Sequence, residues 1–174
     1  MAERYSDNKH ANRVMFKILL AGITPLVIAF MAYLLAPGAE LFRLIAMSTQ
    51  KIPSITSEFN PLMTKMMDVY VKSAPLLALI TFTLVFRPGK TRKISNRKSL
   101  IKACVSFPFI YTFYVCYVLW SNFELTTAGR PARLMSENNF SLLIVYICLY
   151  YCSFFLTYML CYYPVLVYTL WKER

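Results

Sequence analysis

Three stretches of this chain run for nineteen residues or more without a charged side chain, and that limits the fold more than any motif does. They cover 18–36, 103–123 and 138–171, with lengths of 19, 21 and 34 residues. Each reaches the roughly 20 residues that a helix needs to cross about 30 Å of hydrocarbon. Hydrophobic residues make up 58% of the 174 and charged ones only 16%. A water-soluble domain this small has too little interior to hide so much apolar side chain. Lipid is the expected solvent for much of it. The last stretch is too long for one upright crossing and too short for two, so its crossing part is placed at 141–163. Pro164 marks the expected kink or exit.

A fourth span is harder to read. Its charge-free part, 73–86, has only 14 residues, about 21 Å of helix. Upstream, Asn60-Pro61 has the form of a helix cap followed by proline at the first helical position. A helix from there is long enough, but it carries Lys65, Asp68 and Lys72 toward membrane depth, and Pro75 is expected to bend it. Asp68 and Lys72 stand i,i+4 with the acid first, the favourable order. They are expected either to snorkel at the interface or to pair inside the bundle.

Basic residues in short loops set orientation. The N-terminal tail, the segment between the second and third spans and the C-terminus hold thirteen, against six elsewhere. The expected fold is an all-α membrane protein, a bundle of four transmembrane helices with both termini cytoplasmic. Spans fall at 16–36, 66–86, 103–123 and 141–163, outer loops at 37–65 and 124–140, and an inner loop at 87–102. The first span follows a basic stretch as a signal peptide would. Its apolar part is too long, however, and Pro37 spoils the cleavage pattern, so it is expected to stay.

The net charge of +11 raises nucleic acid as a partner, but the basic residues are scattered among spans rather than gathered into a groove, which excludes it. Cys104, Cys116, Cys148, Cys152 and Cys161 all lie in apolar runs, so no disulfide framework is expected. Cys148 and Cys152 share a helix face, yet the only histidine, His10, lies in the tail and no carboxylate is near, so no metal or other cofactor is expected. No metal-hydrolase, phosphate-loop or serine-nucleophile motif is present, and an enzyme is not expected. A small transporter or channel component is the alternative, disfavoured by the lack of a mid-span acid.

The outer segments and span faces carry the remaining signal. Residues 39–51 are amphipathic, with Glu40, Arg43, Gln50 and Lys51 on one side, as in a helix lying in the outer interface. Residues 53–57 have the composition of a turn, and the second outer loop unaided reads as another. Tyrosines 146, 150, 151, 158, 162, 163 and 168 occupy the whole fourth span, joined by Tyr111, Tyr114 and Tyr117 in the third. An interfacial belt would place them only at the edges. Mid-membrane hydroxyls need partners, on neighbouring helices or on another protein.

Two stretches narrow the reading. Residues 52–79 are IPSITSEFNPLMTKMMDVYVKSAPLLAL, and 123–135 are FELTTAGRPARLM. They resemble the immunity proteins that protect producing bacteria from pore-forming colicins of the A, B, N, U and Y group, nearest to the colicin A side. The resemblance covers nearly the whole chain and is densest in the outer loops and second span. It implies a multi-pass protein of the bacterial inner membrane whose partner is the hydrophobic helical hairpin of a cognate colicin's pore-forming domain. It implies that this contact keeps the channel shut, and it is compatible with a homodimer. Pro53, Ser54, Thr56, Asn60, Pro61, Lys65, Asp68 and Lys72 match the first family stretch. Glu124, Thr126, Thr127, Gly129, Arg130 and Arg133 match the second. With Tyr111, Tyr114 and Tyr150 from the spans, these are the candidate toxin-binding residues.

Overall fold

A computed structural model describes residues 2–85 and 97–172, and side chains at 13–85, 99–169 and 171–172. The long helices are α1 (Ala2–Leu35), α3 (Pro61–Val71) continued by α4 (Ala74–Val85), α5 (Arg97–Tyr114) and α7 (Asn139–Lys172). Two short helices lie between them, α2 (Glu40–Ser48) and α6 (Arg130–Glu137). Two-residue strands β1 (Ile55–Thr56) and β2 (Phe123–Glu124) pair in parallel. Four helical stretches are long and apolar enough to cross a membrane: Arg13–Leu35, Pro61–Val85, Ser99–Leu119 and Asn139–Thr169. Most of the expected inner loop, residues 87–96, lies outside the described residues, as do Phe86 and the side chain of His10.

The centre of the molecule is α7, which packs against α1, α3, α4, α5 and α6. Its buried ridge is Leu142, Tyr146, Tyr150, Phe154 and Tyr158, a residue every fourth position along one face. Against it α1 sets Leu19, Ile23, Leu26 and Phe30. The second candidate span adds Met63, Met67, Val71, Ala74 and Ala78. The tyrosines that fill the fourth span are thus partly the ridge of the core. Where helices lie in lipid no hydrophobic force drives them together, so close packing and interhelical hydrogen bonds hold such a bundle. Small Ala74 and Ala78 let α4 approach the ridge, and Phe82 meets Tyr158 edge-on, with centroids 5.8 Å apart.

The second span is interrupted, but not at Pro75. The helix ends at Val71 and resumes at Ala74. A proline ring clashes with the carbonyl four residues earlier, here that of Val71, so the break falls upstream of the residue that causes it. The step tightens into Ser73 N–H to Tyr70 carbonyl, 2.9 Å, and the Ser73 hydroxyl donates to the same carbonyl at 2.6 Å. Pro164, by contrast, does not interrupt its helix: α7 continues through it to Lys172.

The segments expected to face outward also differ from the sequence reading. The amphipathic helix is shorter than 39–51, and its Phe42 turns inward against Tyr33, centroids 5.5 Å apart. Residues 53–57, expected as a turn, contain β1. The second loop contains a turn of 3-10 helix, Leu125–Thr127, and then α6. Gly129, at φ 99°, makes the left-handed step that starts α6, a conformation that favours glycine.

Candidate toxin-recognition cap

The two family-like stretches meet at one end of the bundle, through residues 68 apart in the chain. Ile55 aligns with Phe123 and Thr56 with Glu124. Asn122 Oδ1 accepts the Ser54 N–H at 2.9 Å, and the Phe123 N–H donates to the Ser54 carbonyl at 3.2 Å. Farther along, the Ser57 hydroxyl donates to the Ser136 carbonyl at 3.3 Å, and Asn60 Nδ2 donates to Asn139 Oδ1 at 2.5 Å. The loops form one cap.

Underneath, three charged side chains of α3 and its C-terminal turn hold the first loop by its backbone. Lys65 Nζ donates to the Ile52 carbonyl at 2.6 Å and to the Ser54 hydroxyl at 2.9 Å. Lys72 Nζ donates to the Pro53 carbonyl and lies 2.7 Å from Asp68 Oδ2. Asp68 is 1% exposed, and the Ile55 backbone faces its carboxylate. Of the two expectations for this pair, the inward one describes it: the ions pair within the protein and clasp the loop. Tyr146 reaches up from α7 to donate to the Ile55 carbonyl at 2.7 Å. Residues 52–55 thus have their polar backbone held from α3, α7 and the second loop, as burial of peptide groups requires.

The candidates fall into three groups. Pro53, Ser54, Thr56, Asn60, Lys65, Asp68 and Lys72 build the clasped loop, with Ser54 and Asp68 buried and the others half-buried. In the second loop, Glu124 is half-buried and accepts the Thr126 hydroxyl at 2.9 Å, while the Thr127 hydroxyl donates to the Glu124 carbonyl at 2.9 Å. Arg130 and Arg133 are exposed, Arg133 standing 3.6 Å from Glu137. Pro61 is exposed at the first position of α3.

The tyrosines stand apart from the cap. Tyr111 and Thr157 share a hydrogen bond at 3.2 Å. Tyr114 meets the Ser153 hydroxyl at 2.5 Å and donates to the Leu149 carbonyl at 3.3 Å. These bonds tie α5 to α7, each contributing on the order of 0.6 kcal/mol between helices in lipid. Tyr150 is buried in the core ridge. Asn122, Tyr146, Ser136 and Asn139 also build the cap and are not among the sequence-based candidates. Only Tyr146 carries a sequence signal, as one of the tyrosines whose hydroxyls need partners.

Chemically the cap offers a shaped, hydrogen-bonded surface. Its buried carboxylate and ammonium are engaged with each other and with backbone, rather than aimed at a substrate. Among the described residues no three His, Cys, Asp or Glu side chains gather as a metal would need.

A family model described as colicin immunity protein matches residues 38–174. The chain belongs to the colicin immunity protein family. It is 44% identical over 169 residues to the Colicin-A immunity protein of Citrobacter freundii, covering 97% of this chain and 95% of that one. It is 30% identical over 174 residues to the Colicin-B immunity protein of Escherichia coli, covering 100% of this chain and 99% of that one. No solved structure matches. The family match takes in the whole cap, both loops and the charged clasp beneath them, whereas all of α1 precedes it.

Proposed function

We propose that this immunity-family chain sits in the bacterial inner membrane with both ends cytoplasmic, binds the pore-forming domain of a cognate colicin there, and keeps the channel from opening. The observation that carries the reading is the 44% identity, over 97% of the chain, to a protein named for immunity to colicin A. The geometry suits the task. Four long apolar helices provide the anchor, and the paired loops provide one preformed surface on the side from which a toxin would arrive. The partner element is the toxin's hydrophobic helical hairpin. Helix packing within lipid and a few polar contacts at the cap supply the affinity, with no bond made or broken.

Stoichiometric binding has a measurable signature. Cells expressing the chain at graded levels are challenged with individual pore-forming colicins. Survival is expected against one toxin or a close relative, up to a toxin dose that rises with the amount of immunity protein. Protection that persists when toxin greatly outnumbers the protein in the membrane would sink the binding reading.

Orientation is tested separately, by reporter fusions. The thirteen-to-six basic asymmetry puts a reporter after Ser95 in the cytoplasm and reporters near Ser57 or Thr127 in the periplasm. A periplasmic reporter at Ser95 overturns the topology.

A further inference from the structure

The short helix α6 has three faces where a helix packed on a protein in water needs two. With about 100° per residue, its side chains sort into three arcs. One holds Ser136, which is buried, and Ala132, half-buried; this arc meets the protein, and the Ser136 carbonyl takes the Ser57 hydroxyl there. The second holds Arg130, Arg133 and Glu137, all exposed. The third holds Pro131, Leu134 and Met135, and it is open too, with Leu134 68% and Met135 50% exposed. A protein face, a charged face and a bare apolar face on one helix suit a boundary where protein, headgroups and hydrocarbon meet.

A second element repeats the pattern. In α2, Phe42 faces Tyr33 and is buried, while Leu41, Leu44 and Met47 are all exposed beside Glu40 and Arg43. Exposed aromatics cluster at the same end of the bundle: Trp120 just beyond the π-helical turn Val115–Leu119, Phe123 on β2, and Phe140 in the first turn of α7. Tryptophan favours the membrane–water interface. The inward arcs of both short helices already hold their protein partners, Phe42 against Tyr33 and Ser136 against Ser57.

We propose that α2 and α6 seat the cap in the phospholipid interface, with Leu41, Leu44, Leu134 and Met135 in the acyl boundary and Arg130 and Arg133 among the headgroup phosphates. The inference rests on reading the long helices as membrane spans and deepens the toxin-binding reading. Loops clasped to a lipid-seated frame meet a toxin segment that is already at the bilayer. Arginine is suited to the role because its planar fork pairs with phosphate oxygens.

The test uses the full chain reconstituted in vesicles of phosphatidylethanolamine and phosphatidylglycerol. A photoreactive diazirine amino acid replaces Leu134, Leu44 or, as the control on the charged arc, Arg133. After illumination, mass spectrometry counts adducts to lipid acyl chains. They are expected to be on the order of tenfold more frequent at positions 134 and 44 than at 133. Two separate apolar positions keep the result readable should one replacement disturb folding. Water adducts without lipid adducts at both overturn the proposal. So does replacement of the lipid adducts by toxin adducts when a colicin pore-forming domain is added, which makes these faces the toxin's own. Lipid adducts unchanged by toxin support it. The first measurement contains no toxin, so a lipid-free result in a protein that still protects cells refutes the lipid seat and leaves the toxin-binding reading standing.

Discussion

Replacing Gly22 with alanine is expected to remove most of the protein from the membrane and most of the protection with it. A Cβ at this position would lie 2.0 Å from the Tyr150 hydroxyl oxygen, 2.8 Å from Leu77 Cδ2 and 3.0 Å from Tyr150 Cζ. The tyrosine has little room to yield. It is 1% exposed, and its ring stacks on Tyr70 with centroids 5.7 Å apart. The Tyr70 hydroxyl in turn donates to the Gly22 carbonyl at 2.5 Å. Three candidate spans therefore meet at one glycine, and an added methyl forces them apart. Overpacking of this kind costs about 1–3 kcal/mol, a large part of what holds a small protein folded.

Tyr150→Phe removes the atom that clashes worst. The double variant is expected to regain part of the membrane level, because the Leu77 methyl can rotate away and the ring Cζ, which stays at 3.0 Å, has to give by only a few tenths of an ångström. Gly38→Ala is the control: nothing lies within 4 Å of a Cβ there, and it should leave amount and survival unchanged. Immunoblots of membrane fractions beside colicin survival read all four strains. Full amounts and full protection in Gly22→Ala would mean that the helices do not cross this closely.

The number and approximate place of the long helices are legible because long charge-free runs mark helices apolar enough to cross a membrane, and the family match agrees with the resemblance drawn from 52–79 and 123–135. What escaped was whatever depends on contacts between distant segments. Residues 53–57 have turn composition, and only the presence of Phe123–Glu124 alongside makes Ile55–Thr56 a strand. Nothing local to Asn122 announces that it will accept the Ser54 N–H. In 130–137 the apolar positions are too few to mark a helix against a background of long apolar runs. Pro75 was read correctly as a disturbance, but its steric conflict lies one helical turn upstream. The mid-span tyrosines were recognised as needing partners. For Tyr114 and Tyr111 the partners are Ser153 and Thr157, which lie on the flank of α7 that meets α5, beside the Tyr146-to-Tyr158 ridge.

The second large effect is expected at Lys72 and Asp68, and the two single alanine replacements should not be equal. Lys72→Ala leaves a carboxylate that is 2% exposed at its side chain and cannot reach water, with only the Ile55 backbone and the more distant Lys65 to offset its charge. Asp68→Ala leaves an ammonium that is 13% exposed and keeps the Pro53 carbonyl. Stranding one ion of a buried pair costs about 3–5 kcal/mol, and an ion able to relax outward loses less. Lys72→Ala is therefore expected to lower membrane level and protection more than Asp68→Ala. The double replacement removes both charges and should recover part of the level.

Protection in the double variant then decides what the clasp is for. The Pro53 carbonyl loses its donor in that strain, while Lys65 still holds Ile52 and Ser54. If the first loop must be held in place to meet the toxin, the level returns and protection does not. If both return together, the pair serves stability alone. Should both single variants keep normal amount and normal survival, the ions are open to water in the living membrane and the clasp has no energetic role.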